Sequence, residues 1–233
     1  MIDVESMLRP LASIDGPAPQ DPSAAAPRSV PRGLPTGIHR RGPCPAWLLA
    51  GCLMAAGCST PIPTDAPRLP SLDAAALAGS WHVVATNFPM WLSGDKQDPM
   101  FTYTYTYTPQ TEQGTLRLGD VVSYRADGKR QTIVGVDTQD AVLRSQFVWR
   151  GRGWLSAFSS TWAVVAGAPE QGWLILFFTQ TLATPAGVDI ISRTPVLAPD
   201  AQALALRSIA ASPFLRDRAQ GLTWLPTPQP AIP

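Results

Sequence analysis

Three cysteines and two histidines are all that this 233-residue sequence offers for thiolate, imidazole or soft-metal chemistry. Cys44, Cys52 and Cys58 lie within fifteen residues of one another, and none follows. The chain from about residue 70 onward therefore has no disulfide and no thiol nucleophile. His39 precedes that group and leaves His82 alone beyond it. Zinc takes about three or four ligands, so neither a His/Cys metal site nor a cofactor is expected. A Ser-His-Asp device needs a histidine in contact with the nucleophile, and a haem needs an inward axial ligand. No catalytic residue is assigned, and no enzyme activity is expected.

The remaining chemistry sits on hydroxyls and one acid. The stretch "FTYTYTYTPQ", residues 101–110, alternates strictly. A period of two marks a β-strand, with Phe101, Tyr103, Tyr105 and Tyr107 on one face and threonines on the other. Phenols turned inward need partners, which a ligand carboxylate or phosphate, or trapped water, could supply. The competing reading is ring packing in a filled core. Asp189 is the acid. It shares a strand face with Ile191, and a carboxylate among apolar groups is costly unless paired; a place at a solvated rim fits it better than a ligand role.

The elements that must position these residues are short strands. "SWHVVAT" (80–86), the Tyr-Thr strand, two strands turning at Asp127-Gly128, "AVLRSQFVWRG", "STWAVVAG", "GWLILFFTQ" and "GVDIISR" make eight. Their connections are too short for crossover helices, so the sheet is antiparallel, an up-and-down meander. Eight such strands close into a barrel without edges, wide enough for one small ligand. In "AVLRSQFVWRG", Leu143, Phe147 and Trp149 share the apolar face. Loop 88–100, with Met90, Trp91 and Met100, reads as a lid. A helix over 199–211, begun by Pro199, presents Ala203, Leu206, Ile209 and Ala210 as its apolar stripe and ends at Pro213. The expected fold is all-β, an eight-stranded antiparallel barrel with one C-terminal helix packed outside.

Net charge is +1 and no basic stripe appears, so no nucleic-acid partner is expected. Proline, 25 residues in all, crowds the first seventy positions and the last ten. Residues 1–38 have the Pro/Ala-rich composition of a disordered extension or of a start assigned too early. In 39–57, Arg40 and Arg41 precede an apolar run, Ala46 to Ala56, in the layout of a secretory signal peptide. That run is too short for the ~20 residues of a spanning helix. Residues 58–71 read as a Pro-rich tether, 72–228 as the barrel and helix, and 229–233 as a disordered tail. The sequence sets no oligomeric state.

Small residues before cysteine resemble the lipobox of bacterial lipoproteins. Ala55-Ala56-Gly57-Cys58 leaves a normal apolar length before it, and Leu49-Ala50-Gly51-Cys52 is the alternative. The resemblance implies acylation of Cys58, or else Cys52, a membrane partner through the N-terminal acyl chains, and, with Ser59 next, outer-membrane sorting with the domain facing the periplasm. The domain itself resembles the lipocalins, and the bacterial outer-membrane branch in particular. "LAGSWHVVA" is similar to the family's Gly-x-Trp motif at Gly79 and Trp81. "DIISRTP" is similar to that branch's Ile-Leu-Ser-Arg-Thr-Pro run at Ile190 to Pro195. Two features depart from the family: Ala168-Pro169-Glu170-Gln171 stands where an acidic-aromatic turn is usual, and His82 where Tyr or Phe is.

The resemblance implies that Trp81 closes one end of the barrel with Arg193 across its ring, both structural. Alternation from an inward Trp81 places Val83 and Ala85 inside, and His82, Val84 and Thr86 outside. The resemblance also implies that Tyr103, Tyr105 and Tyr107 point inward, as apolar and Tyr positions do on the family's equivalent strand. The implied function is binding of a small hydrophobic ligand, such as a fatty acid or lysophospholipid, in a cavity formed by Tyr103, Tyr105, Tyr107, Leu143, Phe147, Trp149 and Trp91. The alternative is an interaction or structural envelope lipoprotein with a filled barrel.

Overall fold

Eight strands follow one another around a closed ring, each antiparallel to the next: β1 Gly79–Thr86, β2 Gln97–Tyr107, β3 Leu116–Ala126, β4 Lys129–Gln139, β5 Gln146–Gly151, β6 Ser159–Ala168, β7 Trp173–Phe178 and β8 Gly187–Ser192. Pairing of β8 with β1 and of β1 with β2 closes the barrel. These observations come from a computed structural model that describes residues 60–70, 72–107 and 116–228, all within one unit spanning 55–233. The side chains of Thr106 and Tyr107 lie outside that description. So do the signal segment 39–57, the extension 1–38, Cys52, Cys58 and the tail 229–233.

The local chemistry accounts for the turns. Asp127 and Gly128 both take positive φ, +51° and +72°, as a two-residue hairpin with the sheet's twist requires. A short strand, β9 Thr223–Trp224, was not expected; it pairs with residues 85–86 of β1 after β2 has diverged from that strand.

Two apolar layers flank the barrel wall. The inner layer holds Trp81, Val83, Phe101, Leu118, Phe147, Trp162, Leu174, Leu176 and Ile191. The outer layer lies between the wall and two helices, α2 Pro199–Ala211 and α3 Pro213–Arg218 (α1, a single turn over Pro89–Leu92, covers the barrel mouth). Here the expected helix face is corrected. Leu206 is 45% exposed, and the packed stripe is Ala201, Ala205 and Ile209. Small alanines let α2 approach a wall already rich in Val and Ile, which leaves the larger leucines in water. As expected, α2 ends before Pro213, but a second short helix, α3, follows directly. Ser212 caps α3 by accepting from the Leu215 N–H, with Pro213 in the first turn.

The tether reading also changes for its described part. Ile62 and Ala66 are buried in the outer layer, and the Leu69 N–H donates to the Val164 carbonyl at 3.3 Å. Two apolar side chains in a Pro-rich stretch are enough to dock 60–70 against the barrel, where composition alone suggested a free spacer.

A β-bulge moves one residue across the wall. Val83 pairs with Ile191 but Ala85 pairs with Ile190, so Val84 is the extra residue. Beyond it the faces exchange. Ala85 joins the outer layer, and Thr86 stands directly opposite Asp189 on the inner face. Strict alternation had assigned them the other way.

A candidate ligand cavity and its buried carboxyl groups

The end of the barrel at Gly79 is closed. The indole N–H of Trp81 donates to the Leu77 carbonyl at 2.7 Å, which ties the preceding 3-10 turn across the opening. The Arg193 guanidinium lies 3.6 Å over the Trp81 ring and donates to the carbonyls of Ala76 (2.7 Å) and Ser80 (3.2 Å). Gly79 has φ +97°, and a Cβ there would meet Arg193 Nη1 at 3.0 Å. Glycine at this position thus answers both a backbone and a packing demand.

Above this floor the lower barrel is filled by stacked rings. Trp162 stacks on Phe147 at 4.5 Å between centroids, and Tyr103 and Phe178 flank it at 5.8 and 6.0 Å. Aromatic pairs of this kind add about 0.5–1.5 kcal/mol each beyond area burial.

Toward the mouth the rings stop short of filling the space. A cavity of about 180 Å³ remains, lined by Phe101, Tyr103, Val122, Ile133, Trp149, Trp162 and Phe178, with Asp120 and Asp189 in its wall. Phe88, Met90 and Trp91, the last two on α1, line its mouth. Trp91 is buried and meets Tyr124 edge-on at 5.7 Å. The lid is anchored at its base. The Phe88 N–H donates to Thr86 Oγ1 at 3.0 Å, and Gly187 leaves room for the Phe88 ring, which a Cβ would meet at 2.7 Å. Residues 97–100, expected in this loop, belong to β2; Met100 pairs with His82 and Ser123.

Of the residues expected in the cavity, Tyr103, Trp149 and Trp91 line it. Tyr105 does not, and its placement is a correction. It is paired with the inward Leu118 but is 41% exposed. β1 begins only at Gly79, opposite Tyr103, so β2 overhangs the closed end and Tyr105 lies below the floor. Tyr107, two residues farther, has its side chain outside the described residues. Leu143 is also corrected: it sits in the β4–β5 turn, outside β5 and away from the cavity. Phe147 is fully buried beneath Trp162 and supports the cavity floor instead of facing the space.

The acids are the unexpected part. Asp189 is not at a solvated rim; it is 1% exposed. Asp120 and Asp137 are equally buried and were not singled out from the sequence. Parity from Leu118 would have turned Asp120 inward, opposite Tyr103. Asp137 Oδ1 accepts the Trp162 indole N–H at 2.7 Å, which pins the central ring of the stack. Asp120 lies opposite Gly135, and the Trp149 indole occupies the space a side chain at Gly135 would need; a Cβ there would collide with Nε1.

Burial raises all three carboxyl groups. Asp189 is pushed up to about 7, with the Thr86 hydroxyl pulling the other way. Asp120 is raised well above the carboxylate range by burial and then by the charge of Asp137, while the facing Trp149 N–H opposes the rise. That N–H and Asp120 make no well-formed hydrogen bond; Trp149 Nε1, Asp120 Oδ1 and Asp189 Oδ1 are all buried without a partner. Asp137 is likewise raised by burial. The same three acids, after burial itself, drive the Tyr103 phenol well above its usual range, so it stays protonated. His82 lies on the opposite parity to Trp81, and burial lowers its affinity for a proton. This arrangement can seat a ring-sized apolar molecule and present it with carboxyl oxygens and one indole N–H.

No family model matches the chain, and no curated protein matches it in sequence. Among solved structures, it is similar to insecticyanin from the tobacco hornworm Manduca sexta, with 14% identity and a TM-score of 0.53 over 74% of this chain and 88% of that one. Lobster apocrustacyanin A1 follows at 12% identity and 0.49 (72% and 94% covered), and the siderocalin Ex-FABP at 16% and 0.48 (67% and 97%). The fold is the lipocalin barrel: eight antiparallel strands, closed, with a C-terminal helix outside.

Proposed function

We propose that this chain binds one small hydrophobic molecule in the barrel cavity and serves to carry, store or sequester it. One observation carries the reading: a space of about 180 Å³, open toward the barrel mouth, persists between aromatic walls with Phe88, Met90 and Trp91 at its edge. For scale, an apolar cavity of about 150 Å³ accommodates benzene. A ligand of one ring with a short arm fits this volume; a fatty acyl chain exceeds it. Binding without catalysis is the reading we favour, because the one histidine of the barrel lies on the outward face.

Titrating the purified chain with 2-phenylethanol tests this through tryptophan emission, since Trp91, Trp149 and Trp162 line the space. Saturable quenching at one site is expected. Absence of binding by this and other neutral aromatic probes would favour the second reading, an envelope interaction protein with a filled barrel. The ring stack below the cavity supports that alternative, as does a volume under the roughly 300–1,000 Å³ of common ligand sites.

We further read the protein as a lipid-anchored member of the bacterial outer-membrane lipocalin branch, tethered in the cell envelope through Cys58. The support is sequence: two arginines, an apolar run and small residues before Cys58, with Ser-Arg-Thr-Pro at the end of the last strand. More than one acyl chain gives stable anchoring where a single chain does not. Labelling with a palmitate analogue should fail in Cys58→Ser and persist in Cys52→Ser.

A further inference from the structure

Resting on the reading that the cavity takes a ligand, we propose that this ligand is a small hydrophobic amine, bound as an ammonium ion against Asp120 and Asp189. Both carboxyl groups line the cavity, are at most 5% exposed, and leave Oδ1 without a hydrogen-bond partner. Buried carboxyl oxygens without a partner are costly, and in the wall only the Thr86 hydroxyl beside Asp189 and the Trp149 N–H beside Asp120 oppose that cost. Among the described residues, no lysine, arginine or histidine lines the cavity. A third acid, Asp137, lies behind Trp162 with Oδ2 also unpartnered. The unpartnered carboxyl oxygens thus outnumber the one unpartnered N–H of the cavity, that of Trp149, and no cation in the lining balances them.

The cation this wall suits is organic. Among the described residues, no three His, Cys, Asp or Glu side chains converge closely enough to hold a metal ion. The faces of Trp149, Trp162, Phe101 and Tyr103 surround the same space, and aromatic faces attract ammonium groups. The volume admits about one ring and a short arm. A carboxylate or phosphate ligand gains no cation from this wall and would hold the acids in their protonated form.

Binding is linked to protons. Asp120 is faced by Tyr103 of β2, Asp137 of β4 and Trp149 of β5; Asp189 is faced by Thr86 of β1 and Tyr103, with only apolar Leu176 and Phe178 from β7. None of these supplies a cation. An incoming ammonium favours the ionised carboxyl, so uptake releases a proton from the acids.

A matched series tests the proposal: 2-phenylethylamine, 2-phenylethanol and 3-phenylpropionate, titrated against the full chain at about pH 8, where the amine is charged and Asp189 ionises. The amine should bind at least about tenfold more tightly than the alcohol, and the acid more weakly than either. That preference should shrink in Asp120→Asn and in Asp189→Asn and vanish in the double variant. If the alcohol binds as tightly as the amine, the amine assignment is overturned while the cavity reading stands. If none of the three binds, both fall. The wild-type comparison alone decides the matter should a variant fail to fold.

Discussion

Asp189→Asn should reverse the pH response of the ligand-free barrel. Burial raises the Asp189 carboxyl from 3.8 to about 7, a shift of about 3 units, and each unit corresponds to about 1.36 kcal/mol. Between those values the native state keeps a proton that the unfolded chain releases. The contribution to stability is thus fully present below pH 3.8, declines as pH rises, and is gone above about 7, a loss of about 4 kcal/mol. Asparagine removes this dependence, because its amide stays neutral at every pH. It also brings a buried NH2 to a wall with few acceptors, at about 1–3 kcal/mol. The variant should therefore be less stable than wild type near pH 4 and more stable near pH 8, by roughly 1–3 kcal/mol each way. For a domain of this size that is about 2–4 °C in Tm per kcal/mol. Urea denaturation across this range, without ligand, supplies both curves. Asp120 and Asp137 titrate in both proteins and largely cancel in the difference. Parallel curves that never cross would refute a carboxyl held in the barrel wall.

Two further substitutions probe the frame around the cavity. Gly135→Ala places a Cβ against the Trp149 indole, so the ring must swing into the cavity or the strands must part; a loss of about 1–3 kcal/mol together with weaker 2-phenylethanol binding is expected, read by denaturation and tryptophan quenching. Arg193→Leu removes the guanidinium over Trp81 and leaves two carbonyls without their donor; stability should drop by about 2 kcal/mol with ligand affinity nearly unchanged, and an unaltered Tm would contradict the stacking.

Alternation and turn chemistry made the barrel legible. "TYTYT" is a strand by any period-two reading, and Asp127-Gly128 is a hairpin because both residues tolerate positive φ. What alternation cannot give is height. Tyr105 has the inward parity but overhangs the floor, because β1 starts only opposite Tyr103. Nor does alternation survive a bulge: the extra Val84 carried Thr86 inward to face Asp189. The site acids divide along the same line. Asp189 was traceable from Ile191, and Asp120 could have been traced from Leu116 and Leu118, which precede it on the same face. Asp137 alternates with Val134 and Val136, so the apolar rhythm of its strand points to the other face, yet Val134 is exposed and Asp137 is buried. The helix stripe misled because leucines outrank alanines in hydrophobicity, whereas a crowded wall selects for small size.

The central claim is an enterable space inside the barrel. Crystals of the full chain soaked in bromobenzene would test it most directly through the anomalous signal of bromine. A peak enclosed by Phe101, Trp149 and Trp162 beneath Trp91 is the result predicted here. A bromine found only in the surface groove beside Arg125 and Pro226, with the barrel interior empty, would contradict it.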